Sequence, residues 1–100
     1  MTYSQIIAEM PKEKWTQSNY LDDGKMCFST YLLYKKGAGL SYIWNLVLNE
    51  ENKNNVIDEL SIDLELSPTH LIRLIMINDS NPNFEEAQKR AVEYLESIGK

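Results

Sequence analysis

The segment SPTHLIRLIMI, residues 67–77, is the stretch that decides the fold class. Ser67 followed by Pro68 predicts the start of a helix, because serine caps free N–H groups and proline is tolerated at the first helical position. Between Leu71 and Ile77 the only polar residue is Arg73. A helix that is apolar nearly all round is normally covered by other elements, so we expect this helix to be the central and most buried one.

The segment that precedes it, residues 55–66, has two possible interpretations. Its apolar residues include a helical stripe of Val56, Ile57, Leu60 and Leu64. They also alternate as in a strand, from Leu60 through Ile62 and Leu64 to Leu66. The Asp, Glu and Ser residues between them have low strand propensity, so we favour a helix.

A further helix is predicted at residues 40–48. The apolar residues there follow the i, i+3, i+4, i+7, i+8 spacing that places them on one face, which we expect to point to the core: Leu40, Ile43, Trp44, Val47 and Leu48. Tyr42 lies beside this face, and the broad aromatic surface also makes a homodimer through this helix possible.

The two ends of the chain carry helix signals of their own. Thr2 and Gln5 have the spacing of a capping box, and Pro11 would help to end the short helix that follows. Asn83 and Glu86 repeat the capping spacing before a last helix. The expected core residues of that last helix are Phe84, Ala87, Ala91, Leu95 and Ile98.

Between the first helix and residue 40 the pattern is mixed. Asp22-Asp23-Gly24 is a turn signal and could close a short hairpin. A helical pattern then runs from about Met26 to Lys36, with Gly37 as its C-cap. We therefore predict an all-α or mainly α fold: one domain, residues 1–100, of five to six helices, with one short β-hairpin around residues 15–28 as an option.

Composition excludes several classes of site. One cysteine and one histidine allow no internal disulfide and no His- or Cys-rich metal site, and we expect no cofactor. No apolar run is long enough to cross a membrane and the first residues lack the apolar core of a signal peptide, so we expect a cytoplasmic protein.

No catalytic motif is recognisable. The sequence contains no P-loop, G-x-G-x-x-G or H-E-x-x-H pattern. Cys27 and His70 are one conceivable nucleophile and base, but a buried structural thiol on an apolar helix face and an exposed histidine at a helix start are the better interpretations. We therefore expect a protein that is not an enzyme.

The charge distribution points to a possible partner surface. The net charge is −5, and between Glu50 and Glu65 six acidic residues stand against one lysine. This segment is either a solvated helix face or an acidic surface for a protein partner, which would use Glu50, Glu51, Asp58, Glu59 and Asp63. Acidic charge disfavours nucleic-acid binding, because that binding depends on many phosphate contacts.

A helix-turn-helix interpretation of residues 54–76 is also disfavoured. Its second helix would offer a DNA groove only Thr69, His70 and Arg73, and the preceding helix is acidic.

Separated motifs resemble a known family. The chain contains Trp15-Thr16-Gln17, then Asp23-Gly24 three residues before Cys27, and later Asn78-Asp79 followed by Glu85-Glu86. This order resembles a family of small bacterial and phage proteins of unknown function, with W-T-Q, D-x-x-G-x-x-C and N-D…E-E motifs. Departures from the family pattern are Ser18 in place of glycine, Ser29-Thr30-Tyr31 in place of a small pair, and Ile77 in place of tryptophan. The resemblance implies a fold and a phage or mobile-element context, and it implies no reaction.

The resemblance draws attention to the W-T-Q loop and the N-D turn. The two could pack together, with their polar groups satisfying otherwise unpaired backbone. Alternatively, Trp15, Gln17, Asn78 and Asp79 could line a polar ligand pocket. The first functional hypothesis is thus a non-enzymatic binding protein that acts through a protein partner, in the form of a phage-encoded modulator of a host system. The alternative is a small-molecule binding domain for a nucleotide- or metabolite-like ligand.

Overall fold

Six α-helices and a two-stranded hairpin follow one another in the computed structural model, which describes residues 1–100. The helices are α1 (Tyr3–Ala8), α2 (Phe28–Lys35), α3 (Leu40–Val47), α4 (Val56–Leu64), α5 (Pro68–Ser80) and α6 (Phe84–Ser97). The strands are β1 (Leu21–Asp22) and β2 (Lys25–Met26), and single 3-10 turns lie at Lys12–Lys14 and Glu50–Asn52. The prediction of a mainly α fold with one short hairpin is confirmed.

The predicted helix starts are confirmed by their caps. Thr2 and Gln5 form a complete capping box at α1. Ser67 accepts from the backbone N–H of His70, and Asn83 accepts from that of Glu86. Residues 56–64 are helical, as favoured, because the carboxylates and serine between the apolar residues suit a helix exposed on one side.

The hairpin closes through a two-residue turn. Asp23 and Gly24 both have positive φ, 50° and 80°, which gives the backbone twist that suits tightly joined antiparallel strands. Leu21 pairs with Met26 in this register. Met26 also accepts from the backbone N–H of Thr16 at 3.1 Å, so the hairpin carries the W-T-Q loop alongside it.

The core is one cluster to which all six helices contribute. α1 packs on α6, and α2 lies between α1, α4 and α5. The most buried helix is α2, in which every residue from Phe28 to Leu33 is buried. The fully buried large apolar side chains are Ile7, Phe28, Leu32, Ile43, Leu60, Leu64, Leu71, Leu74 and Leu95.

The prediction that residues 68–80 form the most buried helix is wrong. Only Leu71, Leu74 and Asn78 of α5 are buried. Ile72 and Met76 are 45% and 54% exposed. The helix packs on α2, α4 and α6 along one side, and its other side faces solvent, so an apolar sequence did not imply burial.

The predicted core face of α3 is partly wrong. Ile43, Leu46 and Val47 are buried, whereas Leu40, Trp44 and Leu48 are 53%, 53% and 42% exposed. α3 packs on α2 and α4 at the edge of the core, and its apolar stripe is wider than the surface those two helices offer.

Two single-residue predictions also need correction. Cys27 is buried, as expected, but it is the N-cap of α2 and not a residue on a helix face. His70 is half-buried and not exposed, because its ring packs edge-on against Tyr94 of α6 with 6.1 Å between the centroids. Among the helices, none is long and apolar enough to cross a membrane.

Candidate functional site

The prediction that Asn78 and Asp79 form a turn after the helix is wrong, because both lie in the last turn of α5. The W-T-Q loop meets this helix end at the buried side chain of Asn78, which is 0% exposed. Its Oδ1 accepts from Trp15 Nε1 at 2.8 Å and from the backbone N–H of Phe28 at 3.0 Å. Its Nδ2 donates to the carbonyl of Thr16 at 3.0 Å and to Asp79 Oδ1 at 2.9 Å. A side-chain amide has two donor hydrogens and two acceptor lone pairs, so the hydrogen-bonding capacity of Asn78 is used completely within the chain.

Gln17 and Asp79 fasten the same loop to the end of α5. Gln17 Nε2 donates to the carbonyls of Asn78 and Asn81, at 3.1 and 2.6 Å. These are carbonyls at a helix C-terminus, which have no partner inside the helix. Asp79 Oδ1 accepts from the backbone N–H of Ser18 at 2.9 Å. The loop is thereby held at several points by one turn of helix.

The Trp15 ring extends this contact into the core. It lies 6.2 Å from the ring of Phe28 and 5.5 Å from that of Phe84, centroid to centroid. The indole therefore bridges α2 and α6 while its N–H is bound by Asn78. The four residues predicted to line a polar pocket do come together, and the internal contacts use the Trp15 N–H and the whole amide of Asn78.

Few polar atoms and little space remain free where the W-T-Q loop meets the end of α5. Gln17 Oε1 and Asp79 Oδ2 make no hydrogen bond within the chain, and a shallow pocket of about 240 Å³ lies beside Asp79, Ser18 and Tyr20. A ligand at this place would have to use those atoms, since Asn78 is enclosed. The proposal of a ligand pocket here stays a prediction.

The Tyr20 hydroxyl in this pocket is kept protonated. Its burial raises its pKa above the ordinary value of 10.0, and the neighbouring Cys27 and Asp79 act in the same direction. Cys27 itself contacts hydroxyl groups, with Sγ 3.1 Å from Ser29 Oγ and 3.3 Å from Thr30 Oγ1. No hydrogen bond joins Cys27 to His70, the only histidine of the chain.

The predicted partner-binding acids lie along one edge of the molecule, on the 3-10 turn Glu50–Asn52 and on α4. Of these, Glu50, Glu51 and Asp58 are exposed, while Glu59 and Asp63 are half-buried. Only Glu50 forms an ion pair, with Lys53 at 3.7 Å. The acidic charge of this edge is therefore largely uncompensated within the chain.

α3 and the acidic edge are joined by two polar side chains. Tyr42 of α3 donates from its hydroxyl to Asp63 Oδ2 at 2.5 Å. Asn52 Nδ2 donates to the carbonyl of Leu46 in α3 at 2.8 Å and to Glu59 Oε2 at 3.0 Å. The hydrogen bond to Asp63 raises the pKa of Tyr42 to about 12, with smaller contributions from burial and from the charges of Asp63 and Glu59. Tyr42 therefore remains a neutral donor at the boundary between the two surfaces.

The exposed side of α3 is the clearest apolar surface near these acids. Leu40, Trp44 and Leu48 follow one another at i, i+4 and i+8, so they form one stripe along the helix. The aromatic contacts of the structure involve Trp15 but not Trp44. This stripe was predicted to belong to the core. The only signal of its exposure was that Ile43, Leu46 and Val47 already supply a buried face of α3.

No cluster of three or more His, Cys, Asp or Glu side chains is arranged to hold a metal ion. No family model, no curated protein and no solved structure matches this chain. The resemblance to small bacterial and phage proteins consequently remains a prediction.

Proposed function

We propose that this chain is a non-enzymatic binding protein that docks a protein partner across α3 and the acidic edge. The observation that supports this proposal is the exposure of Trp44, 53%, between Leu40 and Leu48 on a surface helix. Tryptophan is the residue most enriched among interface positions that dominate binding energy. The burial of a half-exposed indole against a partner would remove a large apolar area from water.

The outer face of α3 connects the apolar stripe to the acids. At 3.6 residues per turn, Leu40, Trp44 and Leu48 lie within about 80° of one another around the helix axis. The exposed residues Ser41 and Asn45 come next around the helix, and Tyr42 with its Asp63 partner follows them. Small polar residues thus lie between an apolar side and an acidic side of the helix, and a partner that contacts both sides has to curve around its exposed surface.

A protein interface of ordinary size requires both the apolar stripe of α3 and the acidic edge. An eight-residue helix is about 12 Å long, which is too short to supply the roughly 800 Å² that each partner buries in a stable complex. Addition of Glu51, Asp58, Glu59 and Asp63 enlarges the surface and gives it a negative rim. The complementary partner is therefore a protein segment with aliphatic or aromatic anchors next to Lys or Arg residues.

The biological context of this proposal comes from the family resemblance. A phage or mobile-element protein without a reaction of its own would exert its effect by binding a component of the host. We propose the same role here, a phage-encoded modulator of a host system, with the partner a bacterial protein that presents a basic and apolar surface.

The proposal can be tested by selection of peptides from a random library on the immobilised protein. We expect enriched peptides to combine apolar anchors with Lys or Arg, and to lose binding to Trp44→Ser and to the charge reversals Asp58→Lys and Glu59→Lys. Matched controls are Met76→Ser, an equally exposed apolar residue on α5, and Glu93→Lys and Glu96→Lys on α6.

The selected peptides should bind the control variants as they bind the unmodified protein. Peptides without positive charge, or peptides that bind Trp44→Ser equally well, would contradict the proposed surface. If the peptides instead reproduce residues 40–48 of this chain, and light scattering shows a dimer, the occupant of the surface is a second copy and not a foreign partner.

A further inference from the structure

A groove of about 890 Å³ lies where α1, the end of α2 and the end of α4 meet. Tyr3, Ile6 and Tyr31 supply apolar walls, and Lys35, Lys36 and Glu65 supply charged groups. Small-molecule sites in proteins commonly have volumes of about 300–1,000 Å³, and this groove lies within that range, with its lining divided equally between apolar and charged residues. None of these residues belongs to the sites predicted from the sequence or to the surface proposed above.

The floor of this groove is fixed by hydrogen bonds to the C-terminal end of α4. Tyr3 donates from its hydroxyl to the carbonyl of Leu64 at 2.7 Å, and Lys36 donates from Nζ to the carbonyl of Asp63 at 2.8 Å. Carbonyls at a helix C-terminus have no partner inside the helix and readily accept such bonds. The side chains of Tyr3 and Lys36 are therefore held in place before any ligand arrives.

Two ammonium groups of the groove form no direct ion pair. Lys35 Nζ lies 5.8 Å from the centre of the Tyr31 ring, and Lys36 Nζ lies 6.0 Å from the centre of the Tyr3 ring. The ion pairs of the chain involve Lys12, Lys53 and Arg90, and neither of these two lysines. Both ammonium groups thus lie beside tyrosine rings without a direct ion pair, although Glu9 and Glu65 line the same groove.

We infer that this groove binds a small organic anion with a single phosphate or carboxylate group on a flat or apolar body. An ammonium group has three donor hydrogens, and Lys36 uses one of them on Asp63, so both lysines retain donors for the oxygens of one anionic group. The body of the ligand would lie against Ile6 and Tyr31.

The carboxylates at the edge of the groove limit the ligand further. Glu9 and Glu65 both line it, so the positive charge of the two lysines does not suffice for a second anionic group, and the two carboxylates can accept hydrogen bonds from a hydroxyl or amino group on the body. The ligand is therefore a metabolite with one phosphate or carboxylate group and not a polyanion such as a nucleic acid. This inference does not depend on the α3 surface, and either can fail alone.

The experiment uses the full chain and four probes: phenyl phosphate, benzoate, inorganic phosphate and phenol. Backbone amide NMR spectra would locate binding, and calorimetry would give the affinity. We expect phenyl phosphate or benzoate to shift the signals of Tyr3, Lys35 and Lys36. The preferred probe should bind at least about tenfold more tightly than inorganic phosphate or phenol, because only it contacts both the lysines and the apolar wall. Which of the two binds more tightly identifies the anionic group.

A matched pair of double variants provides the control. Lys35→Gln with Lys36→Gln should weaken the preferred probe at least about tenfold. Lys25→Gln with Lys89→Gln removes the same charge at exposed positions outside the groove and should leave the affinity unchanged. Equal weakening by both double variants, signal shifts spread over the whole surface, or no binding of either organic anion at about 10 mM would overturn the inference. Thermal unfolding of each variant establishes that it is folded.

Discussion

The indole N–H of Trp15 donates to the side-chain carbonyl of Asn78 at 2.8 Å, which joins a loop and a helix end that are 63 residues apart in the sequence. The same oxygen accepts from the backbone N–H of Phe28, the first residue of α2. Cys27, the N-cap of α2, makes no capping hydrogen bond with its own side chain. Asn78 therefore supplies to α2 the cap that the neighbouring sequence lacks, and one buried amide connects α2, α5 and the W-T-Q loop.

Removal of this amide should cost a large part of the stability. In Asn78→Ala the Phe28 N–H loses its partner in a buried place, and the Trp15 N–H and the Thr16 carbonyl lose theirs in part-buried places. We expect a loss of about 3 kcal/mol or more in the free energy of unfolding, because each unsatisfied buried polar group costs about 1–3 kcal/mol. Urea denaturation followed by circular dichroism measures it.

The matched control for this change is Asn45→Ala. The Asn45 side chain donates to the carbonyl of Ser41 on the exposed side of α3, so its removal should change the free energy of unfolding by less than about 0.5 kcal/mol. If Asn78→Ala were as mild as the control, the proposed function of Asn78 as a cap supplied from α5 would be wrong.

The two tryptophans should respond differently to substitution. Trp15→Phe keeps a ring beside Phe28 and Phe84 but deletes the N–H to Asn78, so we expect a loss of about 1 kcal/mol. Trp44→Phe changes an exposed side chain and should have an effect within about 0.5 kcal/mol. Fluorescence provides a second measurement: the Trp15→Phe protein should emit at longer wavelength and be quenched more by acrylamide than the Trp44→Phe protein.

Local signals in the sequence predicted the helices well. Thr2, Ser67 and Asn83 each cap a helix from within four residues, so their effect depends on spacing that a sequence displays directly. Burial was harder to predict, because Met76 and Trp44 are apolar residues whose exposure depends on how far the neighbouring helices extend.

In the candidate sites, too, local motifs could be recognised in the sequence, whereas contacts between distant elements could not. The W-T-Q and N-D motifs suggested that Trp15 and Asn78 meet, but no pattern indicated that the acceptor is shared with Phe28. The groove that contains Tyr3 and Lys36 could not have been predicted, since its parts come from α1, α2 and α4 and their contacts are long-range. Periodicity describes single elements and contains no information on which elements meet.

The raised pKa of Tyr42, about 12, predicts a specific loss of stability at high pH. The folded protein holds the phenolic proton more tightly than the unfolded chain, whose value is near 10.0. The contribution of the Tyr42 hydrogen bond to the free energy of unfolding is therefore complete below pH 10 and is lost as the pH rises toward 12. We expect Asp63→Asn, which removes the main cause of the shift, to lower the Tyr42 pKa.

Absorbance at 295 nm follows phenolate formation and measures this change. Tyr42→Phe should remove one phenolate step near pH 12 and make the free energy of unfolding between pH 10 and 12 fall less steeply than in the unmodified protein. Asp58→Asn, on the same helix but without a bond to Tyr42, is the control and should leave both curves unchanged. Because the pKa of Tyr20 is raised as well, the amplitude decides: an undiminished step near pH 12 in Tyr42→Phe would contradict the assignment to Tyr42.

The end of α4 offers a stabilising substitution. Glu65 is the C-cap and has a φ of 55°, in the left-handed region that is costly for residues with a Cβ. Glu65→Gly should remove this strain and raise the free energy of unfolding by about 0.5–1 kcal/mol. The gain is reduced by the additional conformational entropy that glycine has in the unfolded chain. Glu65→Ala removes the same carboxylate but retains the Cβ, so it should give no such gain. Equal stability of the two variants in urea denaturation would mean that the left-handed backbone of Glu65 contributes no net strain to the free energy of unfolding.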